Sequence, residues 1–203
     1  MRMKNGKMAM TDKYLHTITK EEVEELPMEH FDGRIFVLTT ESEANKAVEY
    51  LQKYPRIGFD TETRPSFRKG KRYKVSLVQL STDDTCFLFR LNYMGFPASL
   101  KRLLGNADVM KIGLSLRDDF NSLRKRVEID PQNFLDIQSL VSQYGIEEAS
   151  LQKIYAILFG KKISKGQRLS NWETDILTEQ QKRYAALDAW ACLQIYKQLN
   201  NEA

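Results

Sequence analysis

The distribution of apolar and polar residues divides the chain into short strand-like segments and longer amphipathic ones. Brief apolar or alternating runs bounded by turn residues predict strands, whereas apolar residues spaced three and four apart predict helices. The predicted strands cover residues 34–39, 56–62, 74–81, 85–91, 108–114 and 134–137. The predicted helices cover residues 20–26, 40–54, 97–105, 115–126, a segment ending near 145, 150–160 and 178–200. Strands and helices interleave after an antiparallel hairpin at 74–91, which predicts an α/β fold with a mixed β-sheet flanked by α-helices.

Polar residues at the predicted helix ends support these boundaries. Thr40-x-x-Glu43 and Thr178-x-x-Gln181 have the spacing of a capping box, in which two side chains satisfy free backbone N–H groups of the first turn. Ser115 and Ser150 are placed to cap two further helices. Residues 1–31 are polar, rich in Met and Lys, and lack clear periodicity. We therefore expect a flexible N-terminal arm over 1–31 and a single domain over 32–203.

The composition narrows the chemistry that this domain could perform. The chain has 203 residues, a net charge of +4, two cysteines outside any C-x-x-C motif, and two histidines near its N-terminus. These counts argue against a disulfide framework, structural zinc or a histidine-based site, so any metal chemistry must use carboxylates. No apolar run approaches the roughly 20 residues of a membrane span, and no apolar leader is visible. We expect a cytoplasmic protein without a membrane association or an evident stable protein partner.

Two carboxylates interrupt the apolar strand at 56–62. Asp60 and Glu62 are two residues apart, so they project from the same face of a strand, about 7 Å apart along the backbone. Burying two carboxylates side by side is costly unless a cation neutralises them, and hard oxygen ligands suit Mg²⁺ or Mn²⁺. The alternative is a strand end at which both acids are simply solvated.

Two other elements carry acids on otherwise apolar faces. In the last helix, Tyr184 and Asp188 are one turn apart on the inward stripe, although they could merely hydrogen-bond each other there. In the helix after Ser115, Asp118 occupies the third position, where a capping role explains it. Asp119 instead lies on the apolar stripe and is the better candidate for a site, although a one-residue error in the cap would reverse this choice.

Basic residues cluster in two predicted loops. The first cluster follows the two acids of the strand at 56–62 and comprises Arg64, Arg68, Lys69, Lys71, Arg72 and Lys74. The second cluster precedes the last helix and comprises Lys161, Lys162, Lys165 and Arg168. Basic loops beside clustered acids suggest a polyanion guided to metal ions, and phosphodiester hydrolysis is chemistry of that kind. The alternative is that both loops are simply solvated.

Several motifs in this order resemble the DEDDy-type 3′–5′ exonuclease domain family, which includes ribonuclease D and the Werner-syndrome exonuclease domain. The resemblance covers about residues 35–199. It is carried by Asp60-Thr61-Glu62, by Asp119-x-x-x-Leu123 after Gly113, by RLSNW at 168–172, and by Tyr184-x-x-x-Asp188. The segment KVSLVQL at 74–80 resembles the second strand of the family. The second motif departs from the pattern of the family in having a duplicated acid, Asp118-Asp119.

The resemblance implies a ribonuclease H-like fold and metal-dependent hydrolysis from the 3′ end of DNA or RNA, releasing 5′-mononucleotides. Carried over, Asp60, Glu62 and Asp188 would hold one divalent ion, Mg²⁺ or Mn²⁺. Asp60 and Asp119 would hold a second ion. Tyr184 would orient the attacking water, since a phenol with a pKa near 10 is mostly protonated at neutral pH.

The basic clusters and the motifs together suggest residues that contact the nucleic acid. We predict substrate contacts from Thr61, Lys71, Lys165, Arg168, Asn171 and Trp172. Trp172 could instead pack the loop, and Lys165 and Arg168 could be solvated. Two alternative functions are a non-catalytic nucleic-acid-binding module of the same fold and an endonuclease of the same fold. The sequence does not distinguish DNA from RNA.

Overall fold

The strands assemble into one mixed six-stranded sheet in a computed structural model that describes residues 13–68, 70 and 72–201. The strands are β1 (Arg34–Leu38), β2 (Arg56–Thr63), β3 (Val75–Ser81), β4 (Thr85–Arg90), β5 (Met110–Gly113) and β6 (Phe134–Asp136). Their order in the sheet is β1-β4-β3-β2-β5-β6. Strand β3 runs antiparallel to both β2 and β4, while the pairs β1–β4, β2–β5 and β5–β6 are parallel. The predicted hairpin and the mixed sheet are confirmed.

Helices cover both faces of the sheet. They are α1 (Lys20–Glu24), α2 (Glu41–Leu51), α3 (Leu91–Met94), α4 (Ala98–Leu104), α5 (Leu116–Leu123), α6 (Ile137–Val141), α7 (Leu151–Phe159) and α8 (Glu179–Leu199). One core joins α2, α4 and α5 to the face that carries Phe59 and Leu80. The other joins α6, α7 and α8 to the opposite face, where Leu77 and Leu88 project. Among the residues that the structure describes, no helix combines the length and apolar character that crossing a membrane requires.

The alternation of β2 determines which face carries the acids. Ile57 and Phe59 are fully buried against the α2–α4–α5 side. Successive side chains of a strand point to opposite faces, so Gly58, Asp60 and Glu62 face α8. The long helix α8 packs directly on β2 and β3, which brings its own inward stripe to these acids.

Residues 13–31 of the predicted N-terminal arm contact the domain, and residues 1–12 of that arm lie outside the described residues. Ile18 and Val23 are buried against Ala156 of α7, and Phe31 is buried in the core beneath α8. The backbone N–H of Glu29 donates to the Lys162 carbonyl at 2.8 Å. The aperiodic sequence gave no sign of these contacts because each is made with a distant segment. The division at residue 31 remains a prediction.

Three of the four predicted helix caps are confirmed, and the fourth is wrong. Thr40 and Thr178 form complete capping boxes, and the Ser150 hydroxyl caps α7. Ser115 precedes α5 in the left-handed conformation, with φ 59°, and its side chain makes no cap. The Asp136 carboxylate instead accepts from the Leu116 N–H at 2.9 Å. A distant strand end therefore caps this helix.

Candidate active site

Three carboxylates meet where α8 crosses β2. Asp60 and Glu62 come from β2, and Asp188 comes from the inward stripe of α8. One carboxylate oxygen from each lies within 4.8 Å of the other two. A β-bulge directly after Glu62 shifts the pairing with β3, and bulges commonly re-aim side chains beside functional sites. The structure thus brings these three predicted site residues together.

Gly58 allows α8 to approach β2 this closely. A Cβ atom at this position would overlap the carbonyl oxygen of Ala189, far inside van der Waals contact. Ala189 directly follows Asp188, so the missing side chain determines how near the α8 carboxylate comes to the strand. Sequence reasoning did not identify Gly58, although a glycine inside an apolar strand is a recognised sign of close backbone approach.

Asp119 extends the acidic site from α5. Its carboxylate accepts a short hydrogen bond from the Thr61 hydroxyl, so Thr61 contacts a site carboxylate. Asp118 is exposed to solvent on the same helix. Asp119 therefore faces the site and Asp118 does not, although the expected Ser115 capping box is absent. Asp136 fixes the start of α5 and thereby the direction of Asp119, a role that the sequence pattern did not reveal.

Burial and mutual repulsion dominate the electrostatics of these acids. Burial, and then the neighbouring Asp60 and Asp188, raise the pKa of Glu62 to about 10. Burial and Asp60 raise the pKa of Asp119 to about 8, and burial raises that of Asp188 to about 7. Burial and Asp188 raise the pKa of Asp60 well above its usual range. The cluster therefore favours bound protons unless a cation replaces them.

The donor set fits hard divalent cations. Glu62 and Asp188 are buried and Asp60 is half-buried, so solvation does not explain the cluster. All of the converging ligand atoms are carboxylate oxygens, which suit Mg²⁺ or Mn²⁺ better than zinc or copper. The cluster could hold one such ion directly, and Asp119 could contribute to a second beside Asp60.

Tyr184 lies beside the carboxylates on α8. Burial raises the pKa of its hydroxyl, and the negative charges of Asp188 and Glu62 raise it further. A hydrogen bond from Tyr184 partly offsets the increase in the pKa of Asp188. The phenol therefore stays protonated at neutral pH and donates its hydrogen bond to the Asp188 carboxylate.

The loop before α8 brings some of the predicted substrate residues to the site. The positive charge of Arg168 acts on Glu62 and lowers its pKa slightly against the larger effects of burial and repulsion. Arg168, Lys165 and Asn171 are all exposed. The Asn171 side-chain oxygen accepts from the Glu173 N–H at 3.1 Å. The charge of Arg168 in this loop therefore reaches a site carboxylate.

One of the predicted substrate residues does not present an accessible side chain. Trp172 is fully buried, and its ring packs against Tyr184 with centroids 6.0 Å apart. It packs the loop in this conformation and cannot stack on a base, so its assignment as a substrate contact is not supported. Lys71 lies outside the described residues.

Gln79 is a further residue that the sequence patterns did not single out. It lies directly opposite Asp60 in the β2–β3 pair, so both side chains project from the same face. It is fully buried, and neither polar atom of its amide has a hydrogen-bond partner among the described residues. The alternation of apolar and polar residues in β3 does not reveal this burial, and the absence of a partner depends on the surrounding tertiary structure.

Comparison with known proteins gives this site a context. A sequence model of the 3′–5′ exonuclease family matches residues 35–203. The chain is 35% identical over 151 residues to the bifunctional 3′–5′ exonuclease/ATP-dependent helicase WRN of Mus musculus, covering 71% of this chain and 11% of that protein. It is 31% identical over 191 residues to a 3′–5′ exonuclease of Arabidopsis thaliana, covering 86% of this chain and 66% of that protein. The chain thus spans less than two thirds of either relative.

Similarity to a solved structure confirms the fold. The crystal structure of the Aedes aegypti Nibbler EXO domain matches with a TM-score of 0.75 and 23% identity, covering 93% of this chain and 92% of that one. The mixed sheet with flanking helices is accordingly the ribonuclease H-like fold of exonuclease domains, as the sequence predicted.

Proposed function

Because the chain belongs to the 3′–5′ exonuclease family, we propose that it hydrolyses nucleic acid from the 3′ end with the help of two divalent metal ions. The single observation that carries this proposal is the convergence of Asp60, Glu62 and Asp188, with ligand oxygens within 4.8 Å of one another. Buried carboxylates at this spacing are costly without cations. The proposed substrate is DNA or RNA with a free 3′ end, and the proposed product is a 5′-mononucleotide.

The side chains of the site would have separate roles in metal binding and positioning. Asp60, Glu62 and Asp188 would hold one Mg²⁺ or Mn²⁺ ion, and Asp60 and Asp119 would hold the other. Bound divalent ions supply positive charge at a scissile phosphate and favour ionisation of an attacking water. Thr61 fixes the Asp119 carboxylate through its hydroxyl, so we assign it a positioning role.

Tyr184 supports the DEDDy subtype. Its hydroxyl is protonated at neutral pH because burial and the adjacent carboxylates raise its pKa. Its hydroxyl oxygen would accept a hydrogen bond from the attacking water and thereby orient it, while the packed ring of Trp172 fixes the position of Tyr184. Arg168, whose charge reaches Glu62, would attract the terminal phosphodiester.

An oligonucleotide labelled at its 5′ end tests the proposal. With Mg²⁺ or Mn²⁺ we expect a ladder that shortens from the 3′ end, and no cleavage with a chelator. Asp60→Asn should reduce the rate by about a thousandfold or more, because metal-assisted charge stabilisation is worth several kcal/mol. Shortening from the 5′ end, nicking of a closed circular substrate, or full activity in Asp60→Asn would contradict the proposal.

The adjacent acids of α5 provide a matched pair of variants. Asp119→Asn should lower the rate strongly, because this carboxylate faces the site and accepts from Thr61. Asp118→Asn should stay within about twofold of the wild type, because exposed positions without specific contacts tolerate substitution. Equal losses in both variants would contradict the assignment of Asp119.

A further inference from the structure

A cavity of about 360 Å³ lies between the loop that follows β2 and the loop that precedes α8. Its walls include Arg64, Phe67, Arg68, Tyr73, Leu169 and Asn171. Arg64 is two residues beyond Glu62, so the wall begins within about 7 Å of backbone from a site carboxylate. The volume falls in the range of about 300–1,000 Å³ that is usual for small-molecule sites.

Two large apolar side chains from different loops meet solvent in these walls. Phe67 is 84% exposed and Leu169 is 61% exposed. Leaving such side chains in water forgoes about 25 cal/mol for every Å² that could be buried. Their convergence on one cavity therefore favours an interaction surface over scattered exposure. Ile176 is 80% exposed on the same loop as Leu169 but does not line the cavity, so it serves as a matched control.

Positive charge and a flat aromatic ring complete the cavity. The Arg64 guanidinium lies 4.8 Å from the centroid of the Tyr73 ring and 3.3 Å from the Glu173 carboxylate. These contacts hold the Arg64 guanidinium and the Tyr73 ring together in the wall. Arg68 adds a second cation. Aromatic rings and arginines beside a phosphate-attracting surface form the usual platform for unpaired bases.

We propose that this cavity binds a nucleobase of the substrate strand and thereby selects unpaired 3′ ends. The proposal rests on the proposed function and identifies its substrate class. A stacked, paired base has both faces covered by its neighbours, whereas a base in a single strand can turn a face towards Phe67 or Tyr73. Because every base has a π-face, we expect little preference among bases or between DNA and RNA.

Binding without cleavage tests the cavity separately from the catalysis. The Asp60→Asn chain is titrated against 5′-fluorescein single strands of DNA and RNA and against a blunt duplex, with anisotropy as the readout. Adding Phe67→Ala should weaken single-strand binding about tenfold, the usual effect of losing one stacked base. Adding Ile176→Ala should leave binding unchanged, and Phe67→Trp should retain it. Thermal unfolding confirms that each variant is folded.

An abasic scan then locates the base that enters the cavity. Single abasic sites are placed at successive positions from the 3′ end of the oligonucleotide. When the abasic site falls at the position whose base would enter the cavity, no base is left to stack on Phe67. Phe67→Ala should then cause no further loss of binding affinity. The proposal is overturned if Phe67→Ala binds single strands normally, if it weakens the duplex equally, or if no abasic position removes its effect. Base-dependent binding without any cleavage by the wild type would uphold the cavity and reject the proposed activity.

Discussion

At the scale of single residues, burial of the Gln79 side chain is energetically unfavourable. Its side chain is fully buried opposite Asp60, and its amide has no partner among the residues described. An unsatisfied buried polar group costs about 1–3 kcal/mol, whereas an apolar group of similar shape avoids that cost. We therefore expect Gln79→Leu to raise the free energy of unfolding of the metal-free protein by about 1 kcal/mol or more, measured by denaturant titration in chelator.

A second buried glutamine provides the control for this prediction. Gln181 is 4% exposed, and its amide nitrogen donates to the Ser170 hydroxyl at 3.0 Å and the Asn171 carbonyl at 3.1 Å. Gln181→Leu should therefore destabilise the protein by about 1–3 kcal/mol, because both of these acceptors lose their donor. Destabilisation of the same size in Gln79→Leu would show that its amide is in fact satisfied, for example by ordered water.

At the scale of elements, the approach of α8 to β2 determines the geometry of the site. Gly58→Ala would place a Cβ against the Ala189 carbonyl, and neither backbone segment can move without displacing Asp60 or Asp188. We expect a loss of about 1–3 kcal/mol in the free energy of unfolding from overpacking. The maximal cleavage rate should fall further than this stability loss explains. Chemical denaturation and single-turnover cleavage of the same preparation provide the two measurements.

Gly105→Ala separates this effect from the general cost of replacing a glycine. A Cβ at Gly105 would meet only ordinary contacts, the nearest at 3.4 Å, and its φ of −87° suits any residue. The free energy of unfolding of the Gly105→Ala variant should differ from that of the wild type by less than about 1 kcal/mol, and its cleavage rate should be unaffected. If Gly58→Ala behaves like Gly105→Ala, close approach of α8 is not what positions the site.

The elements also show what sequence reasoning could and could not supply. Alternation in β2 and helical periodicity in α8 placed Asp60 and Asp188 on facing surfaces, because those patterns are local. The cap of α5 was assigned wrongly, because the carboxylate that makes it belongs to Asp136, 20 residues away from Leu116. The buried position of Trp172 was left open for the same reason. Contacts between distant segments leave little trace in local periodicity.

At the scale of the whole molecule, the acidic site couples folding to pH. The pKa values of Glu62, about 10, Asp119, about 8, and Asp188, about 7, are raised in the folded protein, as is that of Asp60. Unfolded carboxyls release their protons near pH 4. Between these values the folded state binds more protons than the unfolded state, so stability falls as pH rises.

We therefore expect the free energy of unfolding in chelator to decrease from pH 5 to pH 7.5. This window lies above the pKa of unfolded carboxyls and below the value of about 8 to which burial lowers the pKa of Lys111. Mg²⁺ should stabilise the protein more at pH 7.5 than at pH 5, because a cation binds the ionised carboxylates and competes with protons. Denaturant titrations at both pH values, with chelator and with Mg²⁺, measure the effect.

Asp60→Asn should reduce the pH dependence of the free energy of unfolding, since it removes one carboxyl and its repulsion from the others. Greater stability at pH 7.5 than at pH 5 in chelator would show that the acids are not held together in the metal-free fold.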